Sequence, residues 1–186
     1  MLDGGILSID QATVTGWAYC SPGVVPIWGH IRMGAADSDN GEVFFAFRKF
    51  IMARIGQFSP RYLVYEAAFM PGAKQKVTRL NAKVSRRLDG FVAHLEELAT
   101  EFGLIGLEHP TSEFVKWFTG AGRYESREEK KRATIMGCEA RGWKVTSDEA
   151  DALALLMYAE SYLFPRESKG RPLFLRRPEG PLFGAA

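Results

Sequence analysis

The chain has 186 residues with a formal net charge of +2, and 46% of its residues are hydrophobic. This length predicts one domain that buries a core without disulfides, and Cys20 and Cys138 lack the spacing of a zinc site. The longest uncharged apolar run, residues 152–159, is far shorter than the ~20 residues of a membrane-spanning helix. Because the N-terminus also lacks the pattern of a signal peptide, we expect a cytoplasmic protein that does not contact a membrane.

The N-terminal part of the chain alternates apolar segments with polar turns. It predicts three strands, at residues 6–9, 17–20 and 26–33, of which the first two form a hairpin. Apolar residues at helical spacing then predict a helix from about Val43 that ends before Pro60. A short buried strand follows at residues 62–65, and Glu66 comes directly after it.

The clearest predicted helix is long and amphipathic. Apolar residues recur at steps of three and four from Val77 to Leu98, which predicts one stripe that packs on the sheet. Five basic residues, here called the basic arc, should lie beside this stripe and face outward: Lys76, Arg79, Lys83, Arg86 and Arg87. Such a run is typical of a solvated face, but a second basic segment at residues 166–177 favours a polyanionic partner.

One more strand and three helices complete the predicted domain. Residues 104–107 predict the strand, and Pro110 begins a short helix. Capping-box sequences at Ser126 and Thr146 begin two further helices. Three strands followed by alternating helices and strands predict an α/β fold with a mixed central sheet flanked by helices. We assign residues 1–163 to this domain and residues 164–186 to a basic, irregular tail.

Four carboxylates stand where a site would form. Asp10 and Glu66 each end an apolar strand, and Asp148 and Asp151 share one face of the first turn of a helix. Clustered carboxylates raise one another's pKa unless a cation neutralises them, and Mg²⁺ and Mn²⁺ prefer such oxygen ligands. Each residue alone also has a plain interpretation, for example Asp10 as a turn residue. Together they predict a divalent-metal site.

Short segments spread over residues 6–163 carry a resemblance to a known family. They are residues 6–10, 15–18, 64–70, 114–116, 129–131 and 148–154, and they include E-x-x-F-M from Glu66 and D-x-x-D-A-L-A from Asp148. In this order they resemble the RuvC family of Holliday-junction resolvases, within the ribonuclease H-like fold. Gln11 and Ala12 stand where the cellular members usually have Pro-Gly, so the chain looks more like the divergent bacteriophage resolvases.

The resemblance implies an endonuclease that cuts Holliday junctions or other branched DNA, as a homodimer that makes symmetric paired nicks. It implies that the four carboxylates bind two Mg²⁺ or Mn²⁺ ions, without a nucleotide cofactor. It places Lys116 and Lys130 near the scissile phosphate, Lys130 as a catalytic residue, and Lys131 as a further DNA contact. It makes Phe69 the wedge at the junction core. Separately, the charge of the basic arc, which begins shortly after Glu66 in the sequence, predicts that the arc binds the DNA backbone.

Two other functions remain open from the sequence. Residues 9–13 with Thr15 resemble the phosphate-binding hairpin of actin-like sugar kinases, but such kinases need a second domain that this length does not provide. A non-catalytic protein that binds DNA junctions would keep the fold and the basic arc. Loss of catalysis usually removes carboxylates, and all four are present, so the nuclease interpretation is preferred.

Overall fold

The computed structural model describes residues 4–35, 37–67 and 79–165, and the side chains of residues 79–81 lie outside this description. The strands are β1 (Ile6–Asp10), β2 (Val14–Cys20), β3 (Ile27–Arg32), β4 (Tyr62–Glu66) and β5 (Ile105–His109). The helices are α1 (Asn40–Phe58), α2 (Arg79–Glu101), α3 (Thr111–Thr119), α4 (Arg127–Glu139) and α5 (Ser147–Leu163). Within these described ranges, no helix has the length and apolar character needed to cross a membrane.

The five strands form one mixed sheet in the order β3-β2-β1-β4-β5. The β1–β2 and β2–β3 pairs are antiparallel, whereas the β1–β4 and β4–β5 pairs are parallel. The parallel register aligns Ile9 with Tyr65, so the residues that follow them, Asp10 and Glu66, reach the same edge of the sheet. The predicted α/β fold with a mixed sheet flanked by helices is confirmed.

Side chains alternate between the two faces of the sheet, and each face has its own buried cluster. Leu7 and Ile9 of β1 pack with residues of α1 and α2, such as Phe47 and Phe91. On the opposite face, Ile6 packs with α3, α4 and α5. Helix α5 is the central helix of that layer, because its residues 150–157 are all buried except for part of Asp151 and Met157. The first residues of α5, 147–149, are half-buried, and the helix enters the interior at Ala150.

The structure corrects the prediction that Arg87 faces outward with the basic arc. Only 7% of Arg87 is exposed. Its guanidinium donates to Asn40 Oδ1 (3.0 Å), to Thr13 Oγ1 (3.2 Å) and to the Ser38 carbonyl (3.0 Å). Arg87 thus ties α2 to the start of α1 and to the β1–β2 turn. A helical wheel places it at the border of the apolar stripe, where packing by α1 covers it.

Val84 is a second departure from the predicted packing of α2. The apolar spacing assigned it to the buried stripe, but it is 51% exposed. The stripe is buried farther along α2, where Phe91, Leu95 and Leu98 are fully covered. The α2 residues in the buried cluster next to the sheet are Phe91, Val92, Leu95, Leu98 and Ala99, so the covered part of the stripe is its C-terminal half. Residues 166–186, which include most of the predicted basic tail, lie outside the described residues.

Candidate active site

One cleft at the edge of the sheet gathers the four predicted carboxylates. Asp10 ends β1 and Glu66 ends β4, whereas Asp148 and Asp151 lie in the first turn of α5. The cleft has a volume of about 190 Å³. Its other lining residues are Gln11, Ala12, Ala67, Leu88, Arg127, Lys130 and Lys131. The fold therefore places four carboxylates from three separate elements around one space, and α2 and α4 contribute further lining residues.

A capping box and a contact with β3 fix the first turn of α5. The Thr146 backbone N–H donates to Glu149 Oε2 (2.7 Å), which completes the predicted capping box. The other oxygen of Glu149 lies 2.9 Å from Nδ1 of His30. Because Glu149 is the neighbour of Asp148, these contacts also hold the turn that carries Asp148 and Asp151.

Burial and mutual repulsion dominate the electrostatics of the carboxylates. Burial raises the pKa of Asp10 well above its usual value, and the charges of Asp151 and Glu66 raise it further. Burial also raises the pKa of Glu66 and of Asp151, although the positive charge of Lys130 opposes both shifts. The interaction between the Asp10 and Glu66 carboxyl groups raises the pKa of Asp10 further and opposes the rise in the pKa of Glu66.

The donor set of this cleft fits a divalent cation. Oδ1 of Asp151 is buried and has no hydrogen-bond partner within the described residues. Burial of such an acceptor raises the free energy of the folded state unless the oxygen binds a cation. The described His, Cys, Asp and Glu side chains include no group of three or more already arranged to hold a metal ion. Burial raises the pKa of Asp10, Glu66 and Asp151, and a divalent cation would bind these carboxylates in their ionised form.

Helix α4 contributes a cationic wall opposite the carboxylates. Arg127, Lys130 and Lys131 all line the cleft, and their spacing of three and four residues puts them on one face of the helix. Lys131 Nζ also lies 3.3 Å from Ser147 Oγ, at the start of α5. Acidic and basic groups therefore face each other across the same space, an arrangement that can hold both a metal ion and a phosphate group.

A second cleft adjoins the first. It has a volume of about 460 Å³ and shares Glu66, Ala67 and Lys130 with the carboxylate cleft. Its remaining lining residues are Pro110, Thr111, Ser112, Val115, Lys116, Ala121, Gly122 and Tyr124. The predicted DNA contact Lys116 therefore lines this second cleft and not the carboxylate cleft.

Comparisons with known proteins find the same fold at low sequence identity. No protein-family model matches the sequence, and neither does any curated protein. A structure of Thermus thermophilus RuvC matches with a TM-score of 0.63 and 15% identity, over 87% of this chain and 96% of its own. The T. thermophilus RuvC complex with a Holliday junction substrate has a TM-score of 0.62 and 14% identity, over the same shares, 87% and 96%. The yeast mitochondrial Holliday junction resolvase has a TM-score of 0.55 and 12% identity, over 89% of this chain and 83% of its own.

The chain has a RuvC-like fold. The resemblance seen in the sequence is confirmed at the level of the fold, and the bacteriophage type stays a prediction. Similarity of this degree establishes the fold alone. The roles of the site residues therefore depend on the geometry of this chain.

The predicted DNA-binding residues occupy different parts of the RuvC-like fold. Lys130 and Lys131 line the carboxylate cleft, and Lys116 lines the second cleft. Within the basic arc, Lys83 and Arg86 are exposed on α2, as predicted. The other predicted residues have side chains outside the description: Phe69, Lys76 and Arg79.

Three residues that the sequence did not single out contact the site. Arg127 lines the carboxylate cleft, and its positive charge opposes the rise in the pKa of Glu66. Its spacing of three residues from Lys130 could have predicted that both lie on the same face of α4. Gln11 and Thr111 both hydrogen-bond to Glu66. Gln11 directly follows Asp10, but nothing in the local sequence points to Thr111.

Proposed function

We propose that this protein is a divalent-metal-dependent endonuclease that hydrolyses phosphodiester bonds of branched DNA, such as Holliday junctions. The observation that carries the proposal is the convergence of Asp10, Glu66, Asp148 and Asp151 in one cleft of a RuvC-like fold. A RuvC of the same fold has been solved with a Holliday junction substrate, which supports branched DNA as the substrate class.

The four carboxylates are the groups that would hold Mg²⁺ or Mn²⁺, with two ions in each site. Such ions, when bound, activate a water molecule and stabilise the charge that develops on the leaving 3′-oxygen. Asp10 and Glu66 would bind the ions as ionised carboxylates, because only the ionised form serves as a ligand. An ion in the cleft would also provide a partner for the buried Oδ1 of Asp151.

The cationic wall of α4 would bind the scissile phosphate. Lys130 lies between the two clefts and lines both, so its ammonium group is placed to donate to a phosphodiester that crosses from one cleft to the other. Arg127 and Lys131 add charge on the carboxylate side, and Lys116 adds charge in the second cleft. We assign Lys130 a catalytic role and the other three a role in phosphate binding.

Helix α2 would bind the duplex arms. Its residue Leu88 lines the carboxylate cleft, so the exposed Lys83 and Arg86 lie within two turns of the site along the same helix. Lys76 and Arg79 extend the basic arc in the sequence, and Phe69 would engage the branch point by stacking on an unpaired base. Because a four-way junction is two-fold symmetric, paired symmetric nicks would need a two-fold symmetric homodimer.

The proposal is tested with synthetic four-way junctions, forks and linear duplexes that share one sequence. Each is incubated with the protein in Mg²⁺, in Mn²⁺ or in EDTA, and the products are separated on denaturing gels. We expect the four-way junction to be cut only when metal is present and the linear duplex to be left intact. Equal cutting of linear duplex, or any cutting in EDTA, would overturn the proposal. Tight junction binding without cleavage in either metal would instead favour the non-catalytic junction-binding alternative.

A further inference from the structure

Gln11 is a buried side chain that binds the backbone of Glu66 at two points. Only 5% of Gln11 is exposed. Its Nε2 donates to the Glu66 carbonyl, and its Oε1 accepts from the Glu66 N–H at 3.2 Å. Both ends of one side-chain amide are thus used on one residue that lies 55 positions away in the sequence.

The position of this contact links two strands that carry carboxylates. The parallel β1–β4 register ends with Ile9 opposite Tyr65, one residue before Asp10 and Glu66. Gln11 therefore continues the contact between the two strands beyond their last paired residues. Since Gln11 is bonded to Asp10 along the chain and to Glu66 across the sheet, it adds two hydrogen bonds between the ends of β1 and β4 to those of the strand pairing.

The carboxylate of Glu66 is held separately, by Thr111. The Thr111 hydroxyl, at the first residue of α3, donates to Glu66 Oε1. Gln11 fixes where the backbone of Glu66 lies, and Thr111 fixes where one of its side-chain oxygens points. An amide is suited to the first task because it satisfies an N–H and a carbonyl without adding another negative charge to the four carboxylates.

We propose that Gln11 is a positioning residue of the metal site, which holds Glu66 against Asp10 so that their oxygens are placed for a divalent cation. This inference rests on the proposed function, because it concerns the same carboxylate cleft. Residues that hold metal ligands in place without touching the ion typically change metal affinity or activity by about 10–100-fold when they are replaced. Gln11 acts through Glu66 and is not itself a ligand.

The test measures Mn²⁺ binding by electron paramagnetic resonance, without DNA and at one fixed pH. The variant is Gln11→Met, which keeps the length of the side chain and removes both hydrogen bonds. We expect Mn²⁺ affinity to fall by about 10–100-fold, with junction binding in EDTA unchanged. The matched control is Gln57→Met on α1, where the wild-type glutamine is exposed and accepts from Arg54 (2.5 Å). The control is expected to bind Mn²⁺ as the wild type does.

A second variant keeps the test decisive if Gln11→Met does not fold. Gln11→Asn retains a polar amide that is one methylene shorter and so does not reach both groups of Glu66. It should also weaken Mn²⁺ binding while circular dichroism shows a folded protein. Wild-type Mn²⁺ affinity in a folded Gln11 variant, even one with a lower melting temperature, would show that Gln11 is only a structural residue.

The same measurements separate failure of this inference from failure of the proposed function. If wild-type protein binds no Mn²⁺, both the metal centre and the role of Gln11 are wrong. If wild-type protein binds Mn²⁺ and cuts junctions while both Gln11 variants match it, only the positioning role is wrong. If wild-type protein binds Mn²⁺ in a Gln11-dependent manner but cuts no branched DNA, the positioning role stands and the proposed nuclease function is wrong.

Discussion

Gly16 packs directly against the backbone of Asp148, and a Cβ atom at position 16 would overlap the Asp148 carbonyl oxygen. Gly16 also lies opposite Asp10 in the antiparallel β1–β2 register. Because Gly16 has no side chain, the first turn of α5 can lie close to the end of β1, where Asp10 is located. A glycine in β2 determines how closely the carboxylates of α5 lie to the sheet.

We expect Gly16→Ala to destabilise the protein and to reduce cleavage, because the added methyl group meets backbone that cannot rotate away. Overpacking of this kind costs about 1–3 kcal/mol, and in a chain of this size each kcal/mol lowers the melting temperature by ~2–4 °C. The control is Gly56→Ala in α1, where a Cβ atom would meet nothing within 4 Å. It should be stabilising, because alanine favours the helix interior. A Gly16→Ala protein with wild-type melting temperature and cleavage would show that this contact does not position α5.

The four carboxylates could be predicted from the sequence because each has a local signal. Asp10 and Glu66 follow apolar strands, and the three-residue spacing of Asp148 and Asp151 puts both on one helix face. Their meeting in one cleft depends on the parallel pairing of β1 with β4, which the alternation of strands and helices makes the favoured arrangement. Short-range patterns therefore predict the elements and the residues that end them, whereas their meeting in one cleft depends on this long-range pairing.

The contacts that support the site could not be predicted in the same way. Gln11 and Thr111 reach Glu66 from other parts of the chain. The spacing of apolar residues predicts strands and helices, but it does not predict which side chains form hydrogen bonds between them. Arg87 shows the opposite limit. The helical wheel predicts that Arg87 faces outward, which is wrong, because the side chain is buried against Asn40 and Thr13, which belong to other elements.

We expect removal of any one metal-ligand charge to abolish cleavage and to spare DNA binding. The variants are Asp10→Asn, Glu66→Gln, Asp148→Asn and Asp151→Asn. Metal ions contribute several kcal/mol of transition-state stabilisation, so cleavage should fall by at least ~100-fold. Junction affinity should stay equal or rise, because each substitution removes a negative charge near the phosphates. The measurements are single-turnover cleavage and fluorescence anisotropy, with Glu42→Gln, on the exposed start of α1, as control. Near-normal turnover in three of the four variants would refute the site assignment.

The stability of the metal-free protein should depend on pH through the same carboxylates. Burial raises the pKa of Asp10, of Glu66 and of Asp151, so the folded protein binds protons at these groups more tightly than the unfolded chain. Their contribution to the free energy of unfolding is therefore present at low pH and is lost as pH rises from about 4 through the raised folded values. Excess Mg²⁺ should restore stability above that window, because the cation takes the place of the protons.

This pH dependence is measured as melting temperature from pH 4 to 8, in EDTA and in Mg²⁺. Other groups also titrate in this range, so the informative quantity is the difference between wild type and Asp10→Asn. In EDTA the wild type should lose stability relative to Asp10→Asn as pH rises, because only the wild type must ionise a buried carboxyl at position 10. Parallel curves for the two proteins would contradict the raised pKa of Asp10.

Lys83 and Arg86 are expected to act on DNA affinity, whereas Arg87 is expected to act on stability. Lys83 and Arg86 are exposed, so replacing both by Ala should leave the melting temperature unchanged. For every ion pair with a phosphate that the substitutions remove, the slope of log K against log salt should fall by ~0.9 on duplex DNA. Junction and duplex binding should weaken alike, because side chains that bind the DNA backbone do not read the branch. Fluorescence anisotropy over a salt series measures both quantities.

Arg87→Ala should behave in the opposite way, with an unchanged salt slope and a lower melting temperature. The buried guanidinium makes three hydrogen bonds, and bonds of this charged kind contribute about 1.5–3 kcal/mol each. Arg87→Lys separates charge from geometry, because an ammonium group keeps the charge but cannot replace the planar fork that reaches Asn40, Thr13 and Ser38. If Arg87 bound phosphate, Lys would restore the salt slope and the affinity. Arg87 holds α2 against the β1–β2 turn that follows Asp10. The melting temperature of Arg87→Lys should therefore stay close to that of Arg87→Ala and well below that of the wild type.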